Sequence, residues 1–274
     1  MKRTSSTSRY VAISLLGIAT AFPLVYLISG SLMTYREIIA YPPSLVPSDP
    51  QWSNYAEAIA YLTPQTIINT MIFVSGTLLL QLVICLLAGF AIARMQFRGA
   101  RALVIFFLIP VFMPTNLMLI PTFVVTLQLG LYGTFLGMIL PVAGQASVGV
   151  LLFRSFFASL PDGLFEAARL DGASWWQTFA HVALPLARPI IASYSVVTFF
   201  TSWNMYIWPL VAGGGKIETR VLSVAVAPLA TSQYSTISPA IGFAAAVISI
   251  LPVLIVFLVF QRWFTKGVVG TGLE

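Results

Sequence analysis

Residues able to do chemistry are few in this chain, so where they stand is informative. The densest group lies in PDGLFEAARLDGASWWQTFAHVALP, residues 161–185, which holds Asp162, Glu166, Arg169, Asp171 and His181. Carboxylates and a histidine can move protons or bind a metal. These, however, sit among helix-start and helix-stop signals, and His181 reads as a helix-surface or docking residue. A second set is uncharged: Gln81, Asn116, Gln145 and Asn204 interrupt long apolar runs, with Trp203 and Tyr206 beside the last in SWNMYIWPL. Amides hydrogen-bond hydroxyl groups and aromatic faces stack on sugars, so these six residues are the expected substrate pathway. Each amide also has a simpler role open to it, as an interhelical hydrogen bond worth about 1 kcal/mol.

Other chemistries lack their residues. The string LVAGGGKIE, residues 210–218, misses the phosphate-cradling pattern because Leu210 and Ile217 stand where Gly and Ser or Thr are needed. Cys85 is the sole cysteine, which excludes an internal disulfide or a cysteine-based metal site. The apolar runs contain no paired carboxylates, Ser-His set or metal-ligand cluster, so the chain is expected to be non-catalytic, with no cofactor or metal of its own. They also contain no Asp, Glu or His for a proton relay. A sodium site made of backbone carbonyls keeps an ion-coupled secondary carrier or channel open as the alternative.

The elements that must position these residues are membrane spans. Charged residues are 8% of the 274, against about 25% in a soluble domain, and the apolar fraction is 58% with a mean hydropathy of +0.93. Five charge-free intervals, 10–35, 58–93, 102–153, 189–215 and 221–261, each exceed the roughly 20 residues that cross a bilayer core. Gly130 and Gly133 in LQLGLYGT divide the third interval. Six spans are therefore predicted at residues 11–32, 67–91, 103–126, 134–153, 190–211 and 241–261. The first is too long for a typical signal peptide and shows no clear cleavage site, so it is read as a retained span. PVFMPTNLMLIP makes the third the kinked one. Tyr10, Trp52, Tyr61, Tyr132, Trp208 and Trp263 read as interfacial anchors. The expectation is an all-α polytopic membrane protein with six transmembrane helices, one transmembrane domain over residues 1–274, in the cytoplasmic membrane.

Orientation follows from charge. With both termini cytoplasmic, the inner segments carry Lys2, Arg3, Arg9, Arg94, Arg98, Arg101, Arg154, Arg169, Arg188, Arg262 and Lys266, which is 11 of the 14 basic residues. The outer segments keep only Arg36, Lys216 and Arg220, so the reverse orientation is strongly disfavoured. The net charge of +6 thus speaks to membrane orientation rather than to nucleic acid.

Residues 154–189 then form the longest cytoplasmic loop. Pro161 can open a helix, Asp162 and Glu166 suit its N-terminal end, and Gly172 is a natural stop. Ser174 and Gln177 have capping-box spacing, starting a second helix that Pro185 is expected to end. Trp175, Phe179 and Val182 form an apolar stripe on it. Two destinations stay open on amphipathicity alone: the cytoplasmic ends of the spans, or a groove on a partner protein.

The run EAARLDGASWWQTFAHVALPLARP resembles the EAA loop of ABC importer permeases at Glu166, Ala167, Ala168, Asp171, Gly172, Leu184 and Pro185. RMQFRGAR, LGLYGT, FRSFFASLP, SWNMYIWPL and QRWFTKG extend the resemblance, over nearly the whole chain, to the carbohydrate-type permeases of the maltose and glycerol-phosphate importers. It implies the type I permease fold and import of a sugar, amino sugar or glycerol-phosphate compound. It also implies a second homologous permease subunit, two copies of an ABC ATPase that bind ATP and Mg, and an extracytoplasmic solute-binding protein. Glu166 would touch the ATPase, the alanines would allow close approach, and Gly172 would permit the turn. Residues 36–66 would face the solute-binding protein or serve as a plain connection. The C-terminal tail RWFTKGVVGTGLE is similar to tails that reach the ATPase in the maltose system, although its final residues differ. Single-cysteine labelling with an impermeant reagent is expected to spare positions in 154–189 in intact cells and to label them in inverted vesicles; the opposite result would overturn the orientation.

Overall fold

The computed structural model describes residues 6–230 and 238–269. Lys2, Arg3, residues 270–274 of the tail, and the side chains of Arg262, Trp263 and Lys266 lie outside the described residues. Among the described residues the chain is helical, with no strand. In order it forms α1 (Ser6–Ser31), α2 (Tyr35–Ile39), α3 (Ser53–Arg94), α4 (Ala100–Leu108), α5 (Leu119–Gln128), α6 (Phe135–Gly144) and α7 (Ser147–Ser159). There follow α8 (Asp162–Leu170), α9 (Trp175–Thr178), α10 (Leu184–Leu186), α11 (Arg188–Trp203), α12 (Ile207–Ala212), α13 (Leu222–Ala230) and α14 (Pro239–Val269).

Three helices are by themselves long and apolar enough to cross a membrane, at Arg9–Ser31, Ser53–Arg94 and Pro239–Phe260. The spans expected between them are broken, and in the third proline explains why. In the third, Pro110 and Pro114 withhold two backbone donors. The chain tightens into a 3-10 turn at Ile109–Phe112, and Met113 goes extended ahead of Pro114. The limbs before and after this break are bent by 98°. In the fourth, α6 stops at Gly144 and α7 continues to Ser159, bent by 47° and six residues beyond the expected end at 153. In the fifth, α11 stops at Trp203 and α12 resumes at Ile207.

The described residues divide into two compact units, one running to Ile67 with Leu222–Pro252, the other comprising Ile68–Val221 and the chain from Val253. In the first unit α3 starts well before its expected residue 67 and kinks at Thr63 (φ 60°, ψ 144°), a strained conformation for a β-branched residue, next to Pro64. Asn54 closes the end of α1, its Nδ2 donating to Ser31 O and Met33 O at 3.0 Å each. Thr34 and Glu37 form a capping box that starts α2. The same Glu37 carboxylate reaches Ser48, accepting from its hydroxyl and from its amide at 2.8 Å. Helix α13, followed closely by Gly242 against Leu229, was not expected from the sequence.

In the second unit α3, α7 and α11 pack around Cys85, Phe153 and Val150, all fully buried. Gly149 makes this contact close: a Cβ there would stand 2.4 Å from Tyr194 Oη and 2.5 Å from Cys85 Sγ. Gln81 joins three helices. Its Nε2 donates to Val142 O at 2.8 Å, and its Oε1 accepts from Tyr194 Oη at 3.1 Å and Thr198 Oγ1 at 3.5 Å.

Gly149→Ala is expected to destabilise the detergent-purified protein by about 1–3 kcal/mol, read as a lowered thermal midpoint. Glu37 yields a pH prediction. The Ser48 hydroxyl and amide, then the Thr34 amide and hydroxyl, hold its carboxyl down at about 2 from an ordinary 4.5. Its stabilisation is therefore complete above about 4.5 and lost as pH falls through about 2. Proteolysis of the 35–52 loop should rise across that window in the native protein, whereas Glu37→Gln should remove that pH dependence.

Candidate functional site

The cytoplasmic loop is built as two helices around a glycine turn. Pro161 stands at the N-cap position of α8 and Asp162 in its first turn, where a carboxylate suits the positive end of the helix. The helix ends in a Schellman motif, with Gly172 N donating to Arg169 O at 3.0 Å and Ala173 N to Ala168 O at 2.9 Å. Gly172 adopts φ +73°, which is why that position suits glycine. Ser174 and Gln177 form the expected capping box at α9. Pro185 does not end the second helix as expected. The helix widens into a π turn at Phe179–Ala183 and runs on through Leu186, because the wide turn accommodates the missing Pro185 donor and its ring. Only after Ala187 does the chain bend, by 73°, into α11.

Packing divides the loop into an inner and an outer face. Phe165, Ala168, Phe179 and Ala183 are buried, and Leu184 packs against the cluster that holds Phe165, Phe179 and Ala183. Phe90 of α3 is the centre of the contact, with ring centroids 5.2 Å from Phe179, 5.6 Å from Phe157, and 6.4 Å from both Phe165 and Trp175. The apolar stripe thus goes to the spans at Phe179 and in part at Trp175, whose ring also receives the Arg169 guanidinium at 4.5 Å. What faces outward on α8 is Gly163, Glu166, Ala167 and Leu170, one side of a helix at i, i+3, i+4 and i+7. Leu170 is 88% exposed, and Trp176 adds a second uncovered apolar side chain at 66%. Asp171, Gly172 and Pro185 are also exposed, whereas Ala168 points inward.

One turn beyond Phe90, Arg94 pins the loop. Its Nε donates to Phe157 O at 2.8 Å, and its two terminal nitrogens donate to Leu160 O and to Asp162 Oδ1. The guanidinium lies 4.1 Å from the centroid of the Phe165 ring. Arg94 enters the sequence reading only as an orienting charge, and Phe90 not at all. Their i, i+4 spacing at the cytoplasmic end of a span is the signal that could have marked them.

A second feature lies where the helices break. A cavity of ≈ 430 Å³ is lined by Asn116, Met118, Leu119 and Thr122 around the start of α5, by Val142 and Gln145 at the α6–α7 break, and by Asn204–Trp208 at the α11–α12 break. Gln145 and Asn204 are the C-caps of α6 and α11, and Asn204 Nδ2 donates back to Phe200 O at 2.8 Å. Irregular backbone at membrane depth is tolerated where it is buried in protein or lines a wet cavity, so breaks and cavity belong together. Of the six predicted pathway residues, Asn116, Gln145, Asn204 and Tyr206 line this space. Gln81 stands behind it, bracing Val142, and Trp203 is buried against Phe199 at 5.3 Å between ring centroids. Among the described residues no group of three or more His, Cys, Asp or Glu could hold a metal ion.

The chain is similar to known proteins. Residues 81–270 match the family described as binding-protein-dependent transport system inner membrane component. The chain is 31% identical over 265 residues to the sn-glycerol-3-phosphate transport system permease protein UgpE of Agrobacterium fabrum, across 93% of this chain and 92% of that protein. It is 32% identical over 265 residues to the diacetylchitobiose uptake system permease protein NgcG of Streptomyces coelicolor, across 94% and 87%. Its fold matches, at TM-score 0.85 and 24% identity, a chain of a bacterial ABC transporter involved in the import of the acidic polysaccharide alginate, over 96% of this chain and all of that one. A helical chain of broken spans with a pinned cytoplasmic loop, matched by this family over more than half its length, belongs to the inner membrane components of binding-protein-dependent transport systems, the multi-pass ABC importer permeases of the cytoplasmic membrane.

Proposed function

We propose that this chain is the non-catalytic transmembrane subunit of an ATP-driven carbohydrate importer, receiving its driving force through the 161–186 loop. The observation that carries the proposal is the outward face of α8, where Glu166, Ala167 and Leu170 are exposed while Phe165 and Ala168 hold the helix to the spans. A short helix is marginal alone, and this one is already fixed on one side, so its free face is preorganised for a cleft on another protein. Glu166 supplies charge to that contact, Ala167 allows close approach, and Asp171 with Gly172 sets the turn between the two helices. Ala168 and Leu184 support the loop from inside rather than touching the partner, and Pro185 marks its exit toward α11.

The partner is a separate ABC ATPase, present in two copies and carrying the ATP and Mg. A second homologous permease completes the channel, and an extracytoplasmic binding protein delivers solute. The names of the similar glycerol-phosphate and diacetylchitobiose permeases support a carbohydrate or related polyol as substrate. The cavity lining supports a neutral, hydroxyl-rich portion of substrate at this subunit: Asn116, Gln145, Asn204 and Tyr206 offer hydrogen bonds, and among the described residues none that lines the space is charged.

In proteoliposomes holding the full complex, Glu166→Lys is expected to weaken ATPase association and lower ATP-dependent uptake by about tenfold, the effect of reversing a charge at a docking surface. Unchanged association and uptake would remove the role given to the loop. Solute movement by the purified chain alone, without ATP or partners, would sink the importer reading itself.

A further inference from the structure

Arg94 occupies a junction that docking alone does not explain. Its side chain is only 9% exposed, although it stands at the cytoplasmic end of α3 and carries a full charge. A buried guanidinium is costly unless its donors are satisfied, and here they are shared out among three different places. Nε meets Phe157 O in the last turn of α7, one terminal nitrogen meets Leu160 O in the linker, and the other meets Asp162 in the first turn of α8. A cation at the end of α7 suits that helix's unpaired carbonyls, and the Asp162 carboxylate suits the start of α8. One planar group therefore bonds the final turn of a span to the first turn of the docking helix while itself belonging to a third helix. The Phe165 ring beneath it, 4.1 Å away, blocks the guanidinium from swinging out.

We infer that Arg94 is a positioning residue that makes α8 move as one rigid body with α3 and α7, so that displacement of the docking helix reaches the spans instead of being absorbed at Leu160–Pro161. The inference rests on the docking role proposed for α8. Apart from Arg94, α7 and α8 are joined by the two-residue linker Leu160–Pro161, and α8 meets α3 through the Phe165–Phe90 ring contact. Lysine cannot replace it. Its single ammonium lacks the planar fork needed to meet two carbonyls and a carboxylate from one position.

The decisive measurement is the number of solute molecules imported per ATP hydrolysed by the reconstituted complex. Arg94→Lys and Arg94→Met are expected to lower that ratio by about tenfold while the ATPase still co-purifies and hydrolyses ATP, the range found for residues that carry coupling between sites. A merely structural loss would reduce uptake and hydrolysis together and leave the ratio unchanged, and that outcome would overturn the inference. Loss of ATPase association would also overturn it, since Arg94 would then be part of the docking surface. Asp162→Ala covers the case of poor assembly: this carboxylate is 82% exposed, Arg94 keeps its bonds to Phe157 O and Leu160 O while the tie to α8 is cut, and a ratio equal to wild type would count against the inference. Arg98→Lys, an exposed control on the connection between α3 and α4, should leave the ratio unchanged. If Glu166→Lys leaves association and uptake intact while Arg94→Lys lowers the ratio, the docking face is misassigned; if only Glu166→Lys acts, the transmission role fails and the docking role stands.

Discussion

In lipid, or buried in protein, a backbone carbonyl that loses its helical partner has no water to turn to, and much of this structure answers that constraint. Helices that stop or bend within the protein leave carbonyls at their ends, and a small set of polar side chains is placed to meet them. Asn54 bonds Ser31 O and Met33 O, Asn69 bonds Ile217 O and Arg220 O, Gln81 bonds Val142 O, and Arg94 bonds Phe157 O and Leu160 O. Each donor sits on a different element from its acceptors. A local need for hydrogen bonds thereby becomes tertiary structure, because satisfying the end of one helix fixes it to another.

The same constraint accounts for where polarity accumulates. Prolines break the third span and lie close to the breaks in the fourth and fifth, and the freed backbone must face either protein or a wet space. The cavity lined by Asn116, Gln145, Asn204 and Tyr206 is that space, and two of its amides are themselves helix caps. Capping a helix and lining the cavity are thus not alternatives at Asn204, whose Nδ2 caps α11 while the residue lines the cavity. At Gln81 they separate. Its amide is consumed by Val142, Tyr194 and Thr198, which makes it a brace for the cavity wall rather than part of its surface.

The cytoplasmic loop shows how packing divides a single amphipathic segment between two jobs. Three of its aromatic side chains, Trp175, Trp176 and Phe179, stand within five residues of one another. Phe90 draws Phe179 inward and meets the edge of Trp175, leaving Trp176 uncovered. On α8 the same sorting buries Phe165 and Ala168 and leaves Glu166, Ala167 and Leu170 free. For the docking role proposed for α8, rigid attachment on one side and an uncovered face on the other is what a force-bearing contact requires, since a helix free to rock on its mount would transmit little.

Lipid as solvent, the six runs and the charge asymmetry were legible in the sequence, because span length and basic loops are summed along the chain and need no knowledge of neighbours. The loop's local design was legible for the same reason: Ser174 with Gln177, and Gly172 after Leu170, act within one or two turns. The breaks were legible only in part. PVFMPTNLMLIP announced one, but the stop at Gly144, the gap after Trp203 and the passage of the helix through Pro185 depend on whether a neighbour satisfies the freed groups. Which polar residues meet in the cavity, which aromatic turns inward, and that Arg94 ties three helices together were decided by tertiary structure alone. Those outcomes hang on contacts between residues more than 60 positions apart, such as Arg94 with Phe157 and Gln81 with Val142, and no periodicity in the sequence encodes them.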